Sequence, residues 1–231
     1  MKTGGNPLGP ELFRFLAELA RNNRREWFER NKARYESDVK GPALRFIGDF
    51  AAPLAGISPR FRAIPSATRG SLFRIHRDVR FSKDKSPYKT HAGLHFAHEV
   101  RADVHAPGFY LHLEPGKSFV GMGIWHPDGP TLKSVREAIA ADPAGWRRAN
   151  AGAGVTKAGL KLSGDALKTA PRGFDPEHPQ IEDIKRKDFV LIAELRDAQV
   201  LASDFPKRFA ATCAAGGPFV RWLCRAVGVT F

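Results

Sequence analysis

Hydrophobic positions along the first third of the chain repeat at helical spacing. Leu12, Phe15, Leu16 and Leu19 fall on one face behind Pro10, whose fixed φ suits a first helical turn. Asn22-Asn23 closes this helix and opens another. Asn23 and Glu26 have capping-box spacing: the Asn side chain accepts an orphan N–H while the Glu reaches back. Trp27, Phe28, Tyr35 and Val39 give the second helix its apolar side. Gly41-Pro42 reads as a stop and restart, and Leu44, Ile47, Ala51 and Leu54 predict a third helix that Pro53 ends or kinks.

From Phe61 the period changes to two. Phe73 and Ile75 alternate with Leu72, Arg74 and His76, Leu94 and Phe96 with His91 and His95, and Phe109, Leu111 and Leu113 with Tyr110 and His112. A further strand is read from Ser118 to His126, and Glu114-Pro115-Gly116-Lys117 before it is a hairpin turn, so the strands are antiparallel neighbours. Helical spacing returns at Leu132, Val135, Ala138 and Ile139 behind Pro130. The segment 149–187 reads as irregular, with one short helix near Leu167. Phe189 to Leu195 fits a strand or a helix start. Phe205 to Val227 is helical, with Phe209, Phe219, Trp222 and Leu223 as core candidates and a break at Gly216-Gly217-Pro218. The predicted architecture is α+β: a central, mostly antiparallel sheet with helices from both termini packed on it, in a single domain over 1–231 whose ordered part is about residues 10–228.

Composition sharpens this in three ways. The 42% hydrophobic and 26% charged residues are those of a globular chain and exclude global disorder. Cys213 and Cys224 are too few for a disulfide scaffold and lack zinc-finger spacing, no run of about 18 apolar residues exists, and the start has no signal-peptide core; a cytoplasmic protein without a membrane partner is expected. The net charge of +13 favours anionic partners, although an Arg-rich genome produces the same excess.

That charge is densest in RIHRDVRFSKDKSPYKTH, residues 74–91, where Arg74, Arg77, Arg80, Lys83, Lys85 and Lys89 stand against Asp78 and Asp84. Arginine forks beside a turn-forming lysine loop are the chemistry of phosphate or carboxylate recognition. A solvated basic edge and internal salt bridges to the chain's own acids are the alternatives. Arg77 lies on the apolar parity, so a bulge is expected near His76 to Asp78 to re-aim it. Tyr88 is placed to stack on a ligand or to pack in the core, and His126, beside Trp125 and ahead of a helix start, is a further ligand neighbour. Gly121 and Gly123 leave a flat strand surface that either admits a ligand or receives a packed aromatic.

Seven of the eight histidines fall between His76 and His126, with His91, His95 and His112 on polar positions of neighbouring strands. Three histidines on adjacent strands suit a metal, but the only carboxylates near them are Glu114 and Asp128, so no metal or cofactor is assigned. The segment 171–189, PRGFDPEHPQIEDIKRKDF, is either a lid over the basic face or a surface connection.

FLAELARNNRREWFERNKARYE, the basic run, the GFYLHLEPG and SFVGMGIWHPD hairpin and PRGFDPEHPQIEDIKRKDF together resemble the domain-of-unknown-function family 2461 of bacteria and fungi over nearly the whole chain. The resemblance implies the domain extent and brings no activity, cofactor or catalytic residue. Function is therefore read from the residues alone. Binding of a phosphorylated or other anionic ligand at 74–89 is favoured, with a nucleic-acid-binding protein and a metal-dependent hydrolase using the histidines of 91–126 as alternatives, and no reaction is named.

Overall fold

The computed structural model of the protein describes residues 5–100 and 107–231. Helix α1 (Pro10–Arg21) is followed by α2 (Arg25–Arg30), α3 (Lys32–Arg34), a π-helical turn (Tyr35–Lys40) and α4 (Gly41–Ile57). Strands β1 (Ala92–Ala97), β2 (Gly108–Leu113) and β3 (Ser118–Ile124) come next. Helices α5 (Gly129–Ala141), α6 (Pro143–Ala151) and α7 (Ala153–Lys157) lead to β4 (Lys161–Ser163), α8 (Ile181–Ile184), β5 (Phe189–Leu195), α9 (Asp197–Leu201) and α10 (Phe205–Ala226). The strands form one antiparallel sheet in the order β1-β2-β3-β5-β4. The α+β class is as the alternation predicts, and the 189–195 segment is a strand.

Period-two alternation gives the sheet two different faces. Leu94 and Phe96, Phe109, Leu111 and Leu113, Val120, Met122 and Ile124, and Phe189, Leu191 and Ala193 are buried on one side, beneath α10. Phe50 of α4 packs edge-on against Phe96 there, and Phe209 of α10 against Phe50. Gly93, His95, Tyr110, His112, Phe119, Gly121, Val190 and Ile192 occupy the other side by the same register.

Several local expectations change in three dimensions. Asn23 makes no capping box; its Nδ2 donates to the Tyr88 carbonyl at 2.9 Å and its Oδ1 accepts the Tyr88 N–H at 3.1 Å, tying the first helices to the basic run. Gly41 keeps helical angles, so α4 follows the π-turn without a stop, and it continues past Pro53 to Ile57. Its buried face is Ala43, Phe46, Ile47, Phe50 and Leu54, with Ala51 outside. No helix forms near Leu167, whose N–H pairs with the Lys185 carbonyl, whereas part of the segment read as irregular is α7, β4 and α8. Gly216-Gly217-Pro218 does not break α10. A Cβ at Gly216 would overlap the Met122 Sδ, so the glycine serves close approach of α10 to β3 rather than a turn. The Glu114–Lys117 turn forms as predicted, with Gly116 at φ 71° and the Lys117 N–H on the Glu114 carbonyl.

Candidate functional site

The basic run is not a regular strand. An isolated bridge from Leu72 to Leu94 ties its start to β1, and a second, His76 to Tyr88, folds the run back on itself. The Phe73 N–H bonds to the Gly93 carbonyl and the Lys89 N–H to the Ile75 carbonyl. Two steps of chain on one side thus face four on the other, and the surplus falls between Lys89 and Gly93. The bulge expected at His76 to Asp78 lies here instead, where it carries Thr90 and His91 out of the ladder toward β2.

His91 enters a hollow of about 470 Å³ on the open face of the sheet, lined among others by Phe73, His95, Tyr110, His112, Phe119 and Trp125. Its floor includes Gly121, whose missing side chain leaves only ordinary contacts with Phe119 and Tyr110. Gly123, at φ 127°, is required for another reason: a Cβ there would overlap the Phe189 carbonyl. The Phe219 ring also closes on Gly123, as the packed-aromatic reading expects, while Gly121 opens on the hollow. Most of the lining is aromatic or aliphatic, with Tyr110 and His112 gathered at the His91 end and His95 set apart over Gly108.

Those polar groups form a chain. Tyr110, His112 and Glu114 alternate along β2 and its exit, so period two places them on one face. The Tyr110 hydroxyl is 3.2 Å from His112 Nδ1, and His112 Nε2 is 3.0 Å from Glu114 Oε2. Thr90 donates to the other Glu114 oxygen at 3.5 Å. The His91 and His112 rings lie 4.3 Å apart. Burial, then the neighbouring His112 and Lys89, push His91 down to about 4, which keeps its imidazole neutral at physiological pH. Burial raises the Tyr110 phenol well above its ordinary value.

The cations of the run separate into two groups. Arg77 pairs with Asp84 and lies 3.3 Å from the Ser86 carbonyl, and Arg80 pairs with Asp78 at 2.7 Å. Both acids are lowered, Asp78 to about 2 by its hydrogen bonds to Arg80, and Asp84 first by Ser86 and then by Arg77. Lys85 donates to the Val79 carbonyl, and Lys83 is exposed. These four residues occupy the loop. Lys89 and Arg74 differ: among the described residues neither has a carboxylate within ion-pair distance. The Lys89 Nζ lies 5.2 Å from the centre of the Phe73 ring, and burial followed by the nearby Arg74 charge lowers its proton affinity. A second hollow of about 620 Å³, lined by Asn23, Arg77, Lys89 and Thr90 among others, shares His91 with the first.

Tyr88 is a correction. It turns inward and stacks on Phe28 with ring centres 4.1 Å apart, so its ring belongs to the core. His126 lines neither hollow. Its imidazole is exposed, with Nδ1 3.1 Å from the buried Asp188, which also accepts the His126 N–H at 2.8 Å and so holds the backbone at φ 49°. The segment 171–189 contributes no residue to either hollow; Asp183 accepts the Trp146 indole N–H at 2.6 Å and binds Arg186, which makes it a brace for α6. The residues that sequence reasoning passed over are Phe73 as a groove wall and Asp188, while Glu114, one of the two carboxylates the sequence sets near the histidines, is the partner of His112. Only the alternation of Tyr110, His112 and Glu114 carried a signal.

No curated protein matches the chain. Residues 11–222 match the family model described as "Conserved hypothetical protein (DUF2461)", a span that takes in every described strand, both hollows and all the helices but the first residue of α1 and the last turn of α10, and the chain belongs to that family.

Proposed function

We propose that the protein binds a phosphorylated or otherwise anionic ligand, with the anion at Lys89 and Arg74 and the body of the ligand over the aromatic groove between Phe73 and Trp125. One observation carries the reading. Lys89 is half-buried on an aromatic ring, beside another cation, with no acid among the described residues to offset it. Desolvating an ammonium is costly without a counter-charge, and a bound anion supplies one. Arg77, Arg80, Lys83 and Lys85 are then loop-ordering and steering charges, and His126 stands behind the Trp125 wall of the groove. Two buried free thiols support a cytoplasmic setting, and no described helix is long and apolar enough to cross a membrane.

A thermal-shift panel of inorganic phosphate, sugar phosphates, nucleotides and short oligonucleotides tests this. A ligand at about 100 times its dissociation constant adds about 2.7 kcal/mol, or roughly 5–10 °C for a chain of this size. The shift is expected with at least one phosphorylated compound and is expected to vanish in Lys89→Ala. No shift with any anion, or an equal shift in the variant, contradicts the reading; a shift with oligonucleotides alone favours nucleic acid.

A further inference from the structure

We infer that His91, His112 and Glu114 form a binding site for a zinc-like divalent transition metal. The inference does not depend on the anion reading, because it rests on three other side chains. One ligand atom from each residue lies within 4.8 Å of the other two. Donors at the usual zinc distances of about 2.0–2.2 Å in a tetrahedron sit roughly 3.3 Å apart. The separation of 3.0 Å between His112 Nε2 and Glu114 Oε2 is already one such edge, so His91 has the remaining distance to close.

The fold places these donors on purpose-built backbone. His112 and Glu114 share a face because they alternate, and His91 is brought opposite them by the surplus residues between Lys89 and Gly93 in the pairing of the basic run. Both imidazoles are partly buried and neither is exposed to bulk water as a surface histidine would be. Two nitrogens and one carboxylate oxygen are a donor set that zinc and its neighbours accept, and three protein ligands leave a further position for water or a ligand anion.

Outer contacts fit as well. Without metal, His112 Nε2–H donates to Glu114 and Nδ1 accepts from the Tyr110 hydroxyl. With metal on Nε2 the imidazole proton moves to Nδ1 and donates to the Tyr110 oxygen, whose own proton turns away. The imidazole stays neutral and no proton is lost. Tyr110, able to donate or accept, keeps Nδ1 satisfied in either tautomer and holds the ring's orientation, and Thr90 holds the second Glu114 oxygen, the kind of outer contact metal-binding histidines and carboxylates ordinarily have. Lys89 and Arg74 oppose a dication on this rim, and the negative charge that favours one comes from the Glu114 carboxylate among the donors themselves.

The test is calorimetric titration of chelator-stripped protein with zinc alone, joined to elemental analysis of protein purified without chelator. One equivalent per chain is expected. His91→Ala and Glu114→Gln should each weaken zinc binding at least 100-fold, Tyr110→Phe about tenfold through the lost outer contact, and His76→Ala, which removes an exposed imidazole, should change nothing. Glu114→Gln preserves shape and a hydrogen-bond acceptor, so it reports on the site even if His91→Ala misfolds. Absence of stoichiometric zinc in protein with a normal melting transition overturns the inference. So does zinc binding that survives Glu114→Gln unchanged. Because phosphate plays no part in the titration, failure here leaves the anion reading standing, and the reverse holds too.

Discussion

The two faces of the sheet are made by the same strands and differ in what covers them. On the α10 side the alternates at the strand centres, from Leu94 and Phe96 through Leu111 and Val120 to Leu191 and Ala193, are apolar and buried, and helices close over them. On the opposite side the alternates are Gly93, His95, Tyr110, His112, Phe119 and Gly121 with only Val190 and Ile192 as aliphatics, and part of that side is the open groove. Covered apolar residues hold the fold together, whereas histidines, a tyrosine and glycines on an uncovered face stabilise little and shape a surface. The contrast assigns stability to one side and recognition to the other.

Truncating the covered side has the largest effect. Phe109→Ala, at a fully buried ring, should lower stability by about 3–5 kcal/mol in urea denaturation. Phe119→Ala, on the groove side against His112, should cost under about 2 kcal/mol. Equal costs would break the distinction between the faces. Next is the groove itself. Gly121→Val adds a β-branched side chain whose Cβ meets only ordinary contacts with Phe119 and Tyr110 and whose methyl groups enter the hollow. It should weaken ligand binding at least tenfold while the melting temperature stays within a few degrees of the parent. A variant that binds normally would move the ligand off this face. Smallest is the loop: Arg80 is well exposed and already paired with Asp78, so Arg80→Ala should change ligand affinity less than about threefold and stability by under about 1 kcal/mol, read by titration and melting.

Much of the fold is legible in the sequence because its signals are periodic and local. Helix α1, the β2–β3 hairpin with its Gly116 turn, and the helix behind Asp128, whose side chain accepts the Thr131 N–H at 3.0 Å, follow from spacing and caps alone. Errors cluster where a partner distant in sequence decides the outcome. Asn23 looks like a cap but is claimed by the Tyr88 backbone across 65 residues of chain. Gly216-Gly217-Pro218 looks like a break, yet α10 runs through it because helix and strand press together there. In the basic run the charges are plain in the sequence and their neutralisation is not. Which arginine meets which aspartate depends on how the loop folds back, so Arg77 and Arg80 could not be separated from Arg74 and Lys89 by composition. The surplus residues that deliver His91 are likewise invisible until the two segments are paired.

The most direct measurement is a side-by-side titration of parent, Lys89→Ala and Arg80→Ala with whichever phosphorylated compound shifts the melting temperature most. A charge-assisted hydrogen bond of about 1.5–3 kcal/mol corresponds to roughly 10- to 100-fold, so Lys89→Ala should lose that much affinity and keep or raise its stability, while Arg80→Ala binds almost as the parent does. Similar losses in the two variants, or a loss confined to Arg80→Ala, would contradict the account, since the ligand would then be reading the loop's net charge and not the Lys89 ammonium at the mouth of the groove.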